Sequence, residues 1–148
     1  MSWQADSATG EATADVDVAA VAIPAPRRPL LVEFGTAVLV VGGAFGVLQK
    51  VFTPLIAATA FDPLFAFLFA LDAVSVIAGI VLRTGRSWIP AANVAAVYAF
   101  LHLATQTPTG VALTAVFLAV VVACFASREW FDAMRDWRVA RFEARATR

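Results

Sequence analysis

Four long runs of apolar residues, joined by short polar segments, constrain this chain more than any other feature. The runs cover about residues 30–53, 63–82, 88–105 and 109–127. Helices of these lengths reach roughly 27–36 Å, which matches a hydrocarbon core of about 30 Å. Every backbone polar group must be satisfied inside a bilayer, so unbroken runs of this kind have to be helical. The pattern predicts an all-α integral membrane protein with four spans.

The composition agrees with this prediction. Hydrophobic residues make up 61% of the chain and charged residues 15%, against about 45–50% and 25% in soluble domains. The connections between the runs are short, which forces neighbouring helices to be antiparallel and gives an up-down-up-down four-helix bundle over residues 27–127. Thr107 before Pro108 is typical of a helix start, since threonine caps and proline follows it.

The distribution of basic residues predicts the orientation. Arg27, Arg28, Arg83, Arg86 and the six arginines after the fourth run fall on one side of an alternating four-span chain. Lys50 alone falls near the opposite surface, where its side chain is expected to reach the headgroups. By the positive-inside rule, both termini are cytoplasmic. The preference for Arg over Lys suggests a bacterial protein, and hence a bacterial plasma membrane.

The two ends of the chain differ in charge. Residues 1–26 are acidic without a basic residue, and such a segment is predicted to be disordered. Residues 128–148 are predicted to form a basic amphipathic helix on the anionic leaflet. A partner protein that binds either end is the alternative. The predicted anchors at the membrane surface are Trp88, Trp130, Trp137, Arg135 and Arg138.

Small residues on the first two spans predict close helix packing. Glycines four residues apart let two helix backbones approach each other, as in small-xxx-small motifs. Packing within the bundle is the favoured use, with homodimerisation as the alternative. The predicted packing residues are Gly35, Gly42, Gly46, Ser75 and Gly79.

A polar layer is predicted near the middle of the bundle. Asp72 lies near the bilayer midplane, where a charge costs at least about 2.5–3.5 kcal/mol on insertion scales. Tyr98 and Thr114 come at a similar depth, and His102 follows Tyr98 by one turn. Either these side chains satisfy one another and fix the helix register, or Asp72 and His102 form part of a path for a solute or proton.

Catalytic and cofactor patterns are missing from the sequence. One His and one Cys on different runs make no metal-ligand set, and no catalytic triad or phosphate-binding glycine loop is present. The net charge of zero gives nucleic-acid binding no support. We therefore expect no enzyme activity, cofactor or metal. The leading hypothesis is a scaffold or accessory subunit that binds a membrane protein or a second copy of the chain; the alternative is a small solute or proton transporter.

Two family resemblances support the four-span prediction. Arg28-Pro29, the stretch Ala78-Gly79-Ile80-Val81-Leu82 and Gly85-Arg86-Ser87-Trp88 resemble a group of small bacterial, actinobacterial-type proteins with four transmembrane helices and a G-R-x-W cytoplasmic loop. That resemblance covers about residues 27–127 and implies a membrane bundle without an assigned activity. The end of the first run, Gly46-Val47-Leu48-Gln49-Lys50, resembles DoxX-like proteins, which also have four spans.

Overall fold

The computed structural model describes residues 24–57 and 63–146. For residues 53–57 it describes the backbone only. Helices account for 87% of the described residues, which confirms the all-α class. The five helices are α1 (Leu30–Ala57), α2 (Pro63–Arg83), α3 (Ile89–Ala104), α4 (Pro108–Ala126) and α5 (Arg128–Ala146). The predicted disorder of the N-terminal tail falls almost entirely outside the described residues.

Three of the described helices are long and apolar enough to cross a membrane. They are Leu30–Phe52 within α1, all of α2 and all of α4. The helix α3 is apolar as well, but its 16 residues reach only about 24 Å.

The helix ends follow the local sequence. Thr107 caps α4, because its Oγ1 accepts a hydrogen bond of 3.0 Å from the backbone N–H of Gly110, which confirms the predicted start. By contrast, α1 continues four residues beyond its predicted end at residue 53. Pro54 cannot donate a backbone hydrogen bond, yet one further turn of helix follows it.

Close packing of α1 against α2 organises one half of the fold. Ser75 donates a hydrogen bond of 2.9 Å from its Oγ to the carbonyl oxygen of Leu39, which ties the two helices together in the interior. Gly79 lies against Leu39 and Val40, and a Cβ there would stand 2.7 Å from Val40 Cγ2. Gly35 lies near Leu82 and Gly43 near Asp72, so contacts run in opposite directions along the two helices, and α1 and α2 are antiparallel.

The glycines of α1 divide between the two sides of the helix. Gly43 faces α2 so closely that a Cβ would lie 2.7 Å from the carbonyl oxygen of Asp72. Gly42, which was predicted to pack against another helix, has nothing within 4 Å of its Cβ position. Adjacent helix positions differ by about 100° in direction, so of these two glycines Gly43 points at α2 and Gly42 does not.

The helices α3 and α4 form the second antiparallel pair. An alanine-rich face of α3 is buried, and Thr114 on α4 donates a hydrogen bond of 3.1 Å to the carbonyl oxygen of Ala99. The two pairs meet where α2 packs on α3 and α1 packs on α4. The largest fully buried apolar side chains of the bundle are Leu39, Leu82, Val32 and Val120.

The helix α5 packs against the turn between α2 and α3. Gly85 in that turn has φ = 67°, and a Cβ there would stand 2.9 Å from the Trp130 ring. Arg138 donates to the carbonyl oxygen of Gly85, while Trp130 donates to the carbonyl oxygen of Pro26 at 3.4 Å. Trp130 and Arg138, both predicted to anchor the chain to the membrane, therefore contact other segments of the protein. Arg135, a third predicted anchor, is exposed.

Substitution of the two adjacent glycines should separate close packing from helix propensity. In Gly43→Ala, the new methyl group meets the α2 backbone, and we expect a loss of about 1–3 kcal/mol of unfolding free energy. Gly42→Ala is the matched control, which should leave stability unchanged or raise it by up to about 1 kcal/mol. Thermal unfolding in detergent micelles measures both; equal effects would contradict the close α1–α2 contact.

Candidate functional site

Asp72 is the centre of the polar cluster. Its side chain is buried, with 5% of the residue exposed. Lys50 Nζ lies 2.6 Å from Asp72 Oδ2, and the Tyr98 hydroxyl donates to Asp72 Oδ1. Residues on α1, α2 and α3 therefore meet at one carboxylate, and each of its oxygens accepts a hydrogen bond.

Lys50 is the member of this cluster that sequence reasoning missed. The expectation that it extends to the outer surface is wrong, because its ammonium is paired with Asp72. Helical side chains tilt toward the N-terminus of their own helix, which directs Lys50 back along α1. Lys50 lies near the end of the first run and Asp72 in the middle of the second, and opposite charges in neighbouring spans are the signal that could have revealed the pair.

Gly46 provides the space for the Asp72 carboxylate. It precedes Lys50 by one turn of α1, and a Cβ at this position would overlap all three atoms of the carboxylate group. The predicted packing role of Gly46 is therefore specific to the ion pair: a residue without a side chain lets Asp72 reach α1. Gly46 and Lys50 together form a short stretch of α1 that accommodates a single acidic side chain.

Three rings line the wall beside the ion pair. Phe117 on α4 stacks on Tyr98, with centroids 4.8 Å apart and planes 12° apart. It also stacks on His102, at 5.6 Å and 11°. The cluster thus holds His102 by ring packing, and the partners of the Asp72 carboxylate are Lys50 and Tyr98.

Thr114 belongs to the helix-packing contacts instead of the polar cluster. Its Oγ1 lies within hydrogen-bond distance of two backbone carbonyl oxygens, Ala99 at 3.1 Å and Gly110 at 2.8 Å. The similar depth of Thr114 and Asp72 in the sequence therefore does not bring them together. Depth along a helix is only one coordinate, and the direction of the side chain decides its partners.

Trp88 and Trp137, the remaining predicted anchors, each contact a neighbouring side chain. Trp88 packs on Phe125 with ring centroids 4.8 Å apart. Trp137 is half-buried, and the Arg141 guanidinium lies 5.2 Å above its ring.

Among the described residues no group of three or more His, Cys, Asp or Glu could hold a metal ion, and Cys124 is buried as a free thiol.

A cavity of about 640 Å³ extends from the ion pair. This volume lies within the range of roughly 300–1,000 Å³ that small-molecule sites occupy. Polar side chains gather around Lys50 and Asp72, and apolar side chains form most of the remaining wall. The lining residues are Gly42, Phe45, Gly46, Gln49, Lys50, Leu64, Leu68, Asp72, Tyr98, Leu101, His102, Thr105, Leu113 and Phe117.

Replacing the ion pair one residue at a time should reveal the cost of a buried, unpaired charge. We expect Lys50→Met and Asp72→Leu each to lower the unfolding free energy by about 3–5 kcal/mol, because each leaves one charge without its partner. The double variant should recover most of that loss, since an apolar pair of similar volume carries no desolvation cost. Unfolding in detergent micelles measures the stability of the wild type, both single variants and the double variant. A double variant whose loss of stability equals the sum of the two single losses would contradict the pairing.

The chain was also compared with known proteins. No protein-family model matches it, and no curated protein or solved structure is significantly similar to it.

Proposed function

We propose that the chain is a four-span protein of a bacterial plasma membrane that binds a small molecule in the cavity and transfers it within or across the bilayer. The observation that carries this proposal is the cavity of about 640 Å³ ending at the buried Lys50–Asp72 pair. Apolar walls with a few convergent polar groups are the usual form of a small-molecule site.

The membrane part of the proposal rests on hydropathy and charge. Three helices are long and apolar enough to span a bilayer, and α3 completes an antiparallel set of four. A helix shorter than the hydrocarbon thickness crosses where the bilayer thins, at a modest cost per ångström. The arginines at the ends of the spans favour cytoplasmic termini.

The cavity favours a solute-handling role over a scaffold. Protein interiors are packed to the density of organic crystals, whereas this open cavity, with Phe45 and Leu113 of its lining exposed, adds no packing that would stabilise a scaffold. A buried ion pair likewise adds little net stability compared with apolar residues. Both features together are explained by a ligand that fills the void and contacts the polar groups.

The available side chains support binding and transfer without covalent chemistry. The carboxylate of Asp72 is occupied by Lys50 and Tyr98, and the thiol of Cys124 does not line the cavity. His102 packs against the Tyr98 and Phe117 rings. The groups that converge on the cavity therefore orient a ligand by hydrogen bonds and packing, and we assign no catalytic residue.

Cysteine accessibility tests the proposed topology. In a Cys124→Ser background, Thr84→Cys lies in the turn after α2 and Thr109→Cys lies at the start of α4, and both positions are exposed. We expect a membrane-impermeant maleimide added to intact cells to label Thr109→Cys alone, and Thr84→Cys only after the membrane is opened. Labelling of both from outside, or of Thr84→Cys alone, would contradict the orientation.

Recovery of a bound molecule tests the proposed function. Wild-type protein and the Lys50→Met/Asp72→Leu double variant are purified from the same membranes and extracted with organic and aqueous solvents. We expect mass spectrometry to find a species enriched with the wild type and at least about tenfold depleted with the variant, a difference of about 1.4 kcal/mol. Identical extracts from both proteins would contradict binding at the ion pair.

A further inference from the structure

We infer that the ligand is a neutral single-chain amphipath that enters the cavity sideways from the bilayer, between α1 and α4, and places a hydrogen-bond-accepting head group on Lys50. This inference rests on the proposed function and adds the chemical class of the ligand and its route of entry.

The contact between α1 and α4 is close near the start of α1 and is lost farther along, which gives the lateral opening. Near the start of α1 the helices are close, since the Cβ position of Gly35 lies 3.5 Å from Val120 Cγ1 on α4. Halfway along α1, Gly42 is exposed, lines the cavity and has nothing within 4 Å of its Cβ position. A gap at mid-span faces the hydrocarbon region of a bilayer instead of water.

Apolar side chains flank the gap. Phe45 on α1 is 67% exposed and Leu113 on α4 is 37% exposed, and both line the cavity. The apolar lining continues through Leu68 and Leu101, which are partly buried, and Leu64, which is exposed. A hydrocarbon chain is therefore in contact with apolar surface along the whole route from the bilayer to the ion pair.

The polar end of the cavity offers a hydrogen-bond donor. The Lys50 side chain is 21% exposed and the Asp72 side chain 7%, so the ammonium is the more accessible partner. An ammonium carries three N–H donors, and Asp72 accepts one of them at 2.6 Å. Each Asp72 oxygen already accepts one hydrogen bond and the carboxylate is the less accessible partner, so a head group that accepts from Lys50 fits this end better than one that only donates.

The charge balance selects a neutral head group. Lys50 and Asp72 neutralise each other within the cavity. An anionic head group would give the site a net negative charge away from water, and a cationic one would lie against the Lys50 ammonium; each has to be desolvated at a cost of several kcal/mol. A hydroxyl, ester or ketone oxygen accepts from Lys50 and adds no charge.

Binding of three long-chain probes tests the head group. Radiolabelled hexadecanol, hexadecanoic acid and hexadecylamine are titrated against full-length, delipidated protein in detergent. We expect saturable binding of hexadecanol and binding at least about tenfold weaker for the acid and the amine. The double variant Lys50→Met/Asp72→Leu should bind hexadecanol about tenfold more weakly than wild type, since it lacks the donor.

Two substitutions at the gap test the route. In vesicles loaded with hexadecanol, Gly42→Leu and Leu113→Trp should each slow its association about tenfold or more, by narrowing the opening from opposite sides. Ala119→Leu adds a bulky apolar group to an exposed mid-helix position of α4 outside the cavity lining and should leave the rate unchanged. Thermal unfolding of each variant in micelles verifies that it is folded.

The outcomes separate this inference from the proposed function. Tighter binding of the acid or the amine overturns the neutral head group, and equal rates for the gap variants and Ala119→Leu overturn lateral entry. If hexadecanol does not bind but a water-soluble species is enriched with the purified wild type, the inference fails and the proposed function stands. If no species is enriched with the wild type over the double variant, the proposed function itself fails.

Discussion

The ion pair between Lys50 and Asp72 is the interaction on which the arrangement of the polar interior depends. Two opposite charges 2.6 Å apart with little exposed surface interact more strongly than in water, but the burial of Asp72 costs that carboxylate most of its hydration. Such a pair holds its two helices in one register, because a shift by one turn of helix would leave both charges unpaired. The close contact of Gly43 with α2 and the space at Gly46 are the backbone features that make this register accessible.

The apolar runs were enough to predict the helices, since run length and polar connections specify where a membrane-type helix begins and ends. The Thr107 cap is likewise a local signal, and the structure confirms it. The C-terminal end of α1 was less predictable, because Pro54 interrupts one backbone hydrogen bond without ending the helix. The short α3 reflects its capping region at Thr105 and the turn at Gln106, where φ is 52°.

The candidate site was predictable only in part. Asp72 and Tyr98 were expected in one cluster from their depth, and they are hydrogen-bonded. Position along a helix alone places Lys50 at the surface and Thr114 in the cluster, because it does not give the direction in which a side chain points. The cavity itself is a property of how α1 and α4 diverge, which depends on many side chains at once and is encoded in no short motif.

The order of the two charges along the chain bears on biogenesis. Lys50 precedes Asp72 by 22 residues, so during synthesis α1 is complete while the cation still has no counter-ion. In the proposed membrane topology, an unpaired lysine within a span disfavours insertion, by at most about 2.5–3.5 kcal/mol at a helix centre. The close contact of α1 with α2 at Gly43 and Gly46 then favours insertion of the two helices together as a hairpin, with the ion pair already formed.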